Sequence, residues 1–153
     1  MIVVSDTSPL TALLTVRNAE LLRELFKEVV IPEAVQAELH RTHPVLPEWL
    51  RVQTVRDSSK VQAYLRQVDV GEAEAIALAE ELNADRLLMD ERKGRRLARE
   101  HGLAVVGLVG VVLLAKQARL IPSARDLFSR LDREAGVYLG EELVRDALNS
   151  IGE

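Results

Sequence analysis

The chain contains no cysteine. That absence removes disulfides, thiolate metal sites and a cysteine nucleophile, and it fits a reducing, cytoplasmic compartment. Aromatic residues are nearly as scarce, with one Trp, two Tyr and two Phe making up 3% of the sequence. The core must therefore be built from Leu, Val, Ile and Ala, and platforms on which single-stranded bases could stack are few. No apolar run reaches the ~20 residues of a membrane-spanning helix. The longest, residues 102–115, carries glycines at a strand-to-helix turn and reads as core. A secretory leader is not expected, because Asp6 interrupts the apolar start and no basic segment precedes it. With a net charge of −4 there is no global basic field, so nucleic-acid binding would need a local basic patch.

What is present is an ordinary globular composition, 48% hydrophobic and 29% charged over 153 residues, the size of one domain with a real core. Apolar runs at Ile2–Val4, Val29–Ile31, Arg86–Met89 and Leu103–Val106 read as buried strands, and Val52–Val55 as a strand nearer an edge. Helical periodicity falls between them, at Leu10–Val16, from Asn18 onward, and at Glu33–His40, 57–68, Ala73–Leu82, Glu91–His101 and Val109–Arg119. Two amphipathic helices close the chain near Ser123–Ala135 and Glu141–Ser150. Strands alternating with helices predict an α/β fold, a three-layer α/β/α sandwich around a parallel sheet of about five strands. A single domain over 1–153 is expected, with the helices at about 123–150 as a C-terminal extension.

The chemistry lies in the acids. Asp6 follows the first strand and Asp90 the fourth, each at a carboxyl end, where open α/β sheets bind ligands. The competing reading for both is helix capping. Glu38 borders the apolar stripe of its helix and can overlook the sheet, or else keep its carboxylate in water. Asp69-Val-Gly-Glu72 has capping-box spacing, yet Glu72 shares a face with Ile76 and Ala79 and can also reach the sheet end. Glu74 is the alternative acid on that helix. Carboxylates within ~5 Å of one another repel by roughly 3 kcal/mol per pair at an effective dielectric near 20. Such a cluster must protonate or recruit a hard cation, and oxygen ligands without His or Cys suit Mg²⁺ or Mn²⁺. That ion would activate water against a phosphodiester. Arg92, Arg95, Arg96 and Arg99 recur at helical spacing directly after Asp90 and offer forks for phosphate, unless i,i+4 pairing of Glu91–Arg95 and Arg96–Glu100 makes them a solvated face. His40 and His43 lack a third nitrogen or sulfur ligand, and Gly107-Leu-Val-Gly110 lacks the Lys of a phosphate loop.

Four segments resemble the PIN-domain family, the nuclease fold of VapC-type toxins and RNA-processing enzymes: Val3-Val-Ser-Asp-Thr-Ser8, Val30-Ile-Pro-Glu-Ala-Val-Gln-Ala-Glu38, Gly71-Glu-Ala-Glu-Ala-Ile-Ala-Leu-Ala79 and Leu87-Leu-Met-Asp-Glu-Arg-Lys-Gly-Arg-Arg96. The later Val106–Lys116 and Leu120-Ile-Pro122 look like an uncharacterised PIN-like branch. The resemblance implies cleavage of single-stranded RNA with Mg²⁺ or Mn²⁺ held by Asp6, Glu38, Asp90 and a fourth acid, Glu72 or Glu74, at a place where many members carry an Asp. Thr7 and Ser8 join the arginines as expected substrate contacts. Met89 stands where toxins often carry a threonine. A homodimer and a small antitoxin are the partners the family suggests. The alternatives are a PIN-like module that binds RNA or protein without turnover, and a receiver-type Mg²⁺-binding signalling domain. The latter normally carries a lysine after its fifth strand, which Leu103–Gly110 lacks.

Overall fold

Five short runs form one sheet: β1 (Ile2–Ser5), β2 (Glu28–Ile31), β3 (Leu50–Val52), β4 (Arg86–Leu88) and β5 (Val105–Val106). The computed structural model describes all of residues 1–153. Between and after the strands lie α1 (Thr7–Thr15), α2 (Glu20–Phe26), α3 (Glu33–His40), α4 (Ser58–Tyr64), α5 (Val70–Glu81), α6 (Arg92–Glu100), α7 (Leu108–Gln117), α8 (Ala124–Ala135) and α9 (Glu141–Ser150). Every neighbouring strand pair is parallel, in the order β3-β2-β1-β4-β5. No helix is long and apolar enough to cross a membrane.

Alternation along the strands divides the core. Val3, Val29, Ile31 and Leu88 face one side, where α1, α2, α3, α7, α8 and α9 supply the remaining apolar side chains. Val4, Val30 and Leu87 face the other, against α4, α5 and α6. Helices on both faces of a parallel sheet complete the three layers. The helices α8 and α9 add Leu127, Phe128, Leu131, Ala147 and Leu148 to the same cluster as β1.

The third strand lies earlier than periodicity predicts, at Leu50–Val52 rather than Val52–Val55. Leu50 is buried and pairs with Val29, while Val52 meets Ile31 at the end of β2. Tertiary register thus outweighs the alternating pattern. Its edge position agrees with expectation. The helix expected over 57–68 stops at Tyr64, and the fifth strand keeps only two residues.

The strand order reverses direction between β1 and β4, the switch point at which such sheets open a crevice beyond the carboxyl ends. Because Ser5 pairs with Leu88, the residues that follow each strand emerge side by side at that crevice.

If α8 belongs to the main core, Leu131→Ala destabilises the whole chain by about 2–5 kcal/mol and shifts one cooperative transition. Urea unfolding followed by circular dichroism and by Trp49 fluorescence checks this: two separated transitions would contradict it.

Candidate functional site

Asp6 leaves β1 with its backbone amide still in the ladder, donating to Leu88 O at 2.9 Å. It occupies the N-cap position of α1, yet its carboxylate makes no capping hydrogen bond. At 5% exposure it is instead a buried acid above the sheet. Burial pushes its pKa up to about 7, opposed by the Thr7 amide and reinforced by the charges of Asp69, Glu38 and Asp90. Asp90 turns toward the next helix, where Oδ1 accepts the Leu108 N–H at 2.7 Å. Burial raises its pKa as well, while that N–H and nearby Arg95 oppose the shift. Capping of α6 falls to Glu91, which accepts from Lys93 and Gly94. Capping of the helix that follows therefore accounts for neither strand-end aspartate.

Glu38 reaches the same end of the sheet from α3. Its Oε2 accepts the Thr7 hydroxyl at 2.6 Å, so Thr7 holds an acid rather than lying free for substrate. Glu72 serves two purposes. Its Oε1 accepts the Asp69 amide at 3.3 Å while Asp69 Oδ1 accepts the Glu72 amide at 2.9 Å, which completes the capping box. Its Oε2 is buried with no hydrogen-bond partner. Burial is the main cause of a raised Glu72 pKa, followed by the hydrogen bond and charge of Asp69, and Asp6 adds to it. Glu74 points elsewhere: Oε1 accepts the Ala34 amide at the start of α3. Glu72 thus lies within the field of Asp6, whereas Glu74 is tied to the start of α3, just past the end of β2.

Two glycines let the acids approach. A Cβ on Gly71 would stand 2.6 Å from Glu38 Oε1, and one on Gly94 would stand 2.7 Å from Glu72 Oε2. Neither contact is legible in the sequence, because each joins elements distant in the chain. Asp69 was legible only as a cap, although it is the foremost charge acting on Asp6. Met89 is fully buried in the core beneath α6.

The donor set is all oxygen, and an orphaned buried carboxylate oxygen is the feature a hard cation would satisfy. No three Asp, Glu or His side chains are gathered tightly enough to hold an ion in this arrangement. The residues fit a divalent cation in kind.

Beside the acids runs a groove of about 1530 Å³, with Asp90 and Ser8 in its lining. Arg86, Arg92, Lys93, Arg95, Arg96 and Arg99 line it too. None of these cations makes an ion pair, so the i,i+4 pairs that would make α6 a solvated face do not form. Arg95 is half-buried, its Nη1 donating to Met89 O at 2.9 Å. Burial and Arg99 lower its pKa, and Asp90 counteracts them.

Among protein families, the model described as a PIN domain (DUF3368) matches residues 2–153. Comparison with curated proteins finds no match.

The raised pKa of Asp6 carries a sign for stability. Between the unfolded value of 3.8 and the folded value of about 7 the native state binds the extra proton, so stability is greatest at the acid side and falls as pH rises through the window. In chelator the loss between pH 4 and 8 is up to about 4 kcal/mol, with Glu72 acting in the same direction. Asp6→Asn flattens this profile, and added Mn²⁺ raises the melting temperature more at pH 8 than at pH 5. Thermal unfolding across pH checks both, and an unchanged slope in Asp6→Asn would contradict the assignment.

Proposed function

Because the chain belongs to the PIN-domain family, a nuclease fold, we propose that it is a divalent-metal-dependent ribonuclease of the toxin type that hydrolyses phosphodiester bonds of single-stranded RNA. The observation that carries this reading is the buried, unpartnered Glu72 Oε2, which lies within the field of the buried Asp6. The capping box employs only the other oxygen of Glu72, and Asp6 caps nothing, so burying these two groups gains no structural bond. Asp6, Glu38, Glu72 and Asp90 are the residues that would hold Mg²⁺ or Mn²⁺. When bound there, the ion supplies Lewis acidity and a water of lowered pKa.

The chain's own groups prepare the place. Thr7 fixes one oxygen of Glu38, and the Leu108 amide fixes one oxygen of Asp90, which leaves the second oxygen of each to turn toward a ligand. The unpaired arginines of α6 bind backbone phosphates in the groove that reaches Asp90. Ser8, exposed on the same groove, is a further polar contact. On this reading the partners are single-stranded RNA, a small antitoxin and a second copy of the chain, in the cytoplasm.

A second reading is an RNA-binding module without turnover, favoured by the absence of three gathered ligands. The receiver-type alternative is not retained, since receiver sheets run 2-1-3-4-5 whereas this one runs β3-β2-β1-β4-β5.

The purified protein is expected to cut single-stranded RNA with Mn²⁺ or Mg²⁺ and to stop in EDTA, and Asp6→Asn lowers the rate by roughly 100-fold or more. RNA bound but left intact under every divalent ion would select the second reading. Arg96→Ala is expected to weaken RNA binding irrespective of sequence and to reduce the logarithmic salt slope by roughly 0.7. A salt titration of binding measures that slope.

A further inference from the structure

Four of the five aromatic side chains are accounted for by packing or bonding. Phe26, Tyr64 and Phe128 are buried, and the half-buried Trp49 donates from Nε1 to Glu20 at 3.0 Å. Tyr138 is the exception, 84% exposed. Its exposure is imposed by its surroundings. Gly136, in the left-handed conformation at φ +65°, ends α8, and Gly140, at φ +84°, precedes α9. Between them Val137 and Leu139 both pack against the main core, so the residue that alternates with them is held outward.

The outward ring lies on the groove that contains Asp90 and the unpaired cations of α6. Leu113, Leu114 and Leu143 add apolar surface beside it. Phosphate-binding charge at one end and an aromatic face with apolar flanks at the other are the two components of a single-strand binding channel. We propose that Tyr138 is a base-stacking platform that receives an unpaired nucleobase of the RNA strand whose backbone the α6 arginines hold. This rests on the ribonuclease reading and deepens it, because it gives the groove a means of preferring single strands. In a duplex the base faces are already occupied by their neighbours and none is offered to the ring. A protein partner on this surface is disfavoured by the six unpaired cations, which call for a polyanion.

The test uses the full chain in EDTA, so that nothing is cut, with fluorescence anisotropy of two labelled probes: a short oligouridylate and a ribose-phosphate oligomer of equal length without bases. Wild type is expected to bind the oligouridylate more tightly by roughly 5- to 100-fold. Tyr138→Ala erases that preference, Tyr138→Phe and Tyr138→Trp keep it, and Arg96→Ala weakens both probes alike. Equal binding of the two probes by wild type, or a preference that survives in Tyr138→Ala, overturns the stacking role while leaving the nuclease reading intact. Binding of neither probe overturns both. If Tyr138→Ala changes only the sedimentation mass, the ring belongs to a protein interface and the proposal falls.

Discussion

Everything at the carboxyl end of this sheet is arranged around the cost of burying carboxylates with no cation beside them. Asp6 and Glu72 are almost fully withdrawn from water, and neither has a basic side chain among the groups that shift it. Desolvation of a charge in such a place costs several kcal/mol unless it is paired, so the protein alone can tolerate these acids only by protonating them. A fold selected for stability alone would put Leu or Met there. The retained acids instead create a place whose electrostatics improve when a doubly charged ion arrives. The same constraint explains why Asp69, although exposed, matters: its charge adds to the load on Asp6 and Glu72 without being buried itself.

Holding the acids there requires close approach of backbones, and the chain achieves it with small residues and helix starts. Gly71 lets Glu38 come in from α3, and Gly94 lets Glu72 reach beneath the first turns of α6. The starts of α1 and α7 point into the same crevice, because both helices begin directly after strands β1 and β5. Their unpaired N–H groups favour negative charge nearby, and the Leu108 amide makes such a bond to Asp90. Fold and site are therefore the same construction. The parallel sheet delivers acids at strand ends, and the crossover helices return their positive ends to meet them.

Much of this was legible in one dimension. The apolar runs ending in Asp6 and Asp90 placed two acids correctly on neighbouring strand ends, because a strand buried on both faces leaves an unmistakable pattern. Helical spacing anticipated that Glu72 and Glu38 overlook the sheet end, beside Asp6 and Thr7. Local rules failed where long-range register or competition decided the outcome. Val52–Val55 alternates well, yet burial of Leu50 against the core and its pairing with Val29 pull the strand back by two residues. Glu91 satisfies the spacing for an ion pair with Arg95, yet the open amides of Lys93 and Gly94 claim it as a cap. The Arg96–Glu100 pair does not form either, so α6 keeps unpaired positive charge where a solvated face of ion pairs was the alternative. Glu72 shows the reverse case, since its two oxygens satisfy both the structural and the functional reading at once.

The meeting of acid and base at Asp90 also explains how a chain of net charge −4 can offer a surface to a polyanion. Around this crevice its acids and cations are segregated rather than mixed. Asp6 and Glu72 are sunk at the strand ends, where burial and neighbouring acids reduce their ionisation, while Arg92, Lys93, Arg96 and Arg99 stand exposed along the groove. A phosphate chain approaching along α6 would meet unscreened cations first and the acidic crevice only at its end. Arg95 marks the boundary, its guanidinium anchored to Met89 O and within the field of Asp90. Val105 and Val106 of the two-residue β5, at the edge of the sheet, form part of the groove's wall. A further strand paired beside β5 would cover these two residues and with them that wall of the groove, so ending the sheet here leaves the cations and Asp90 on one open surface.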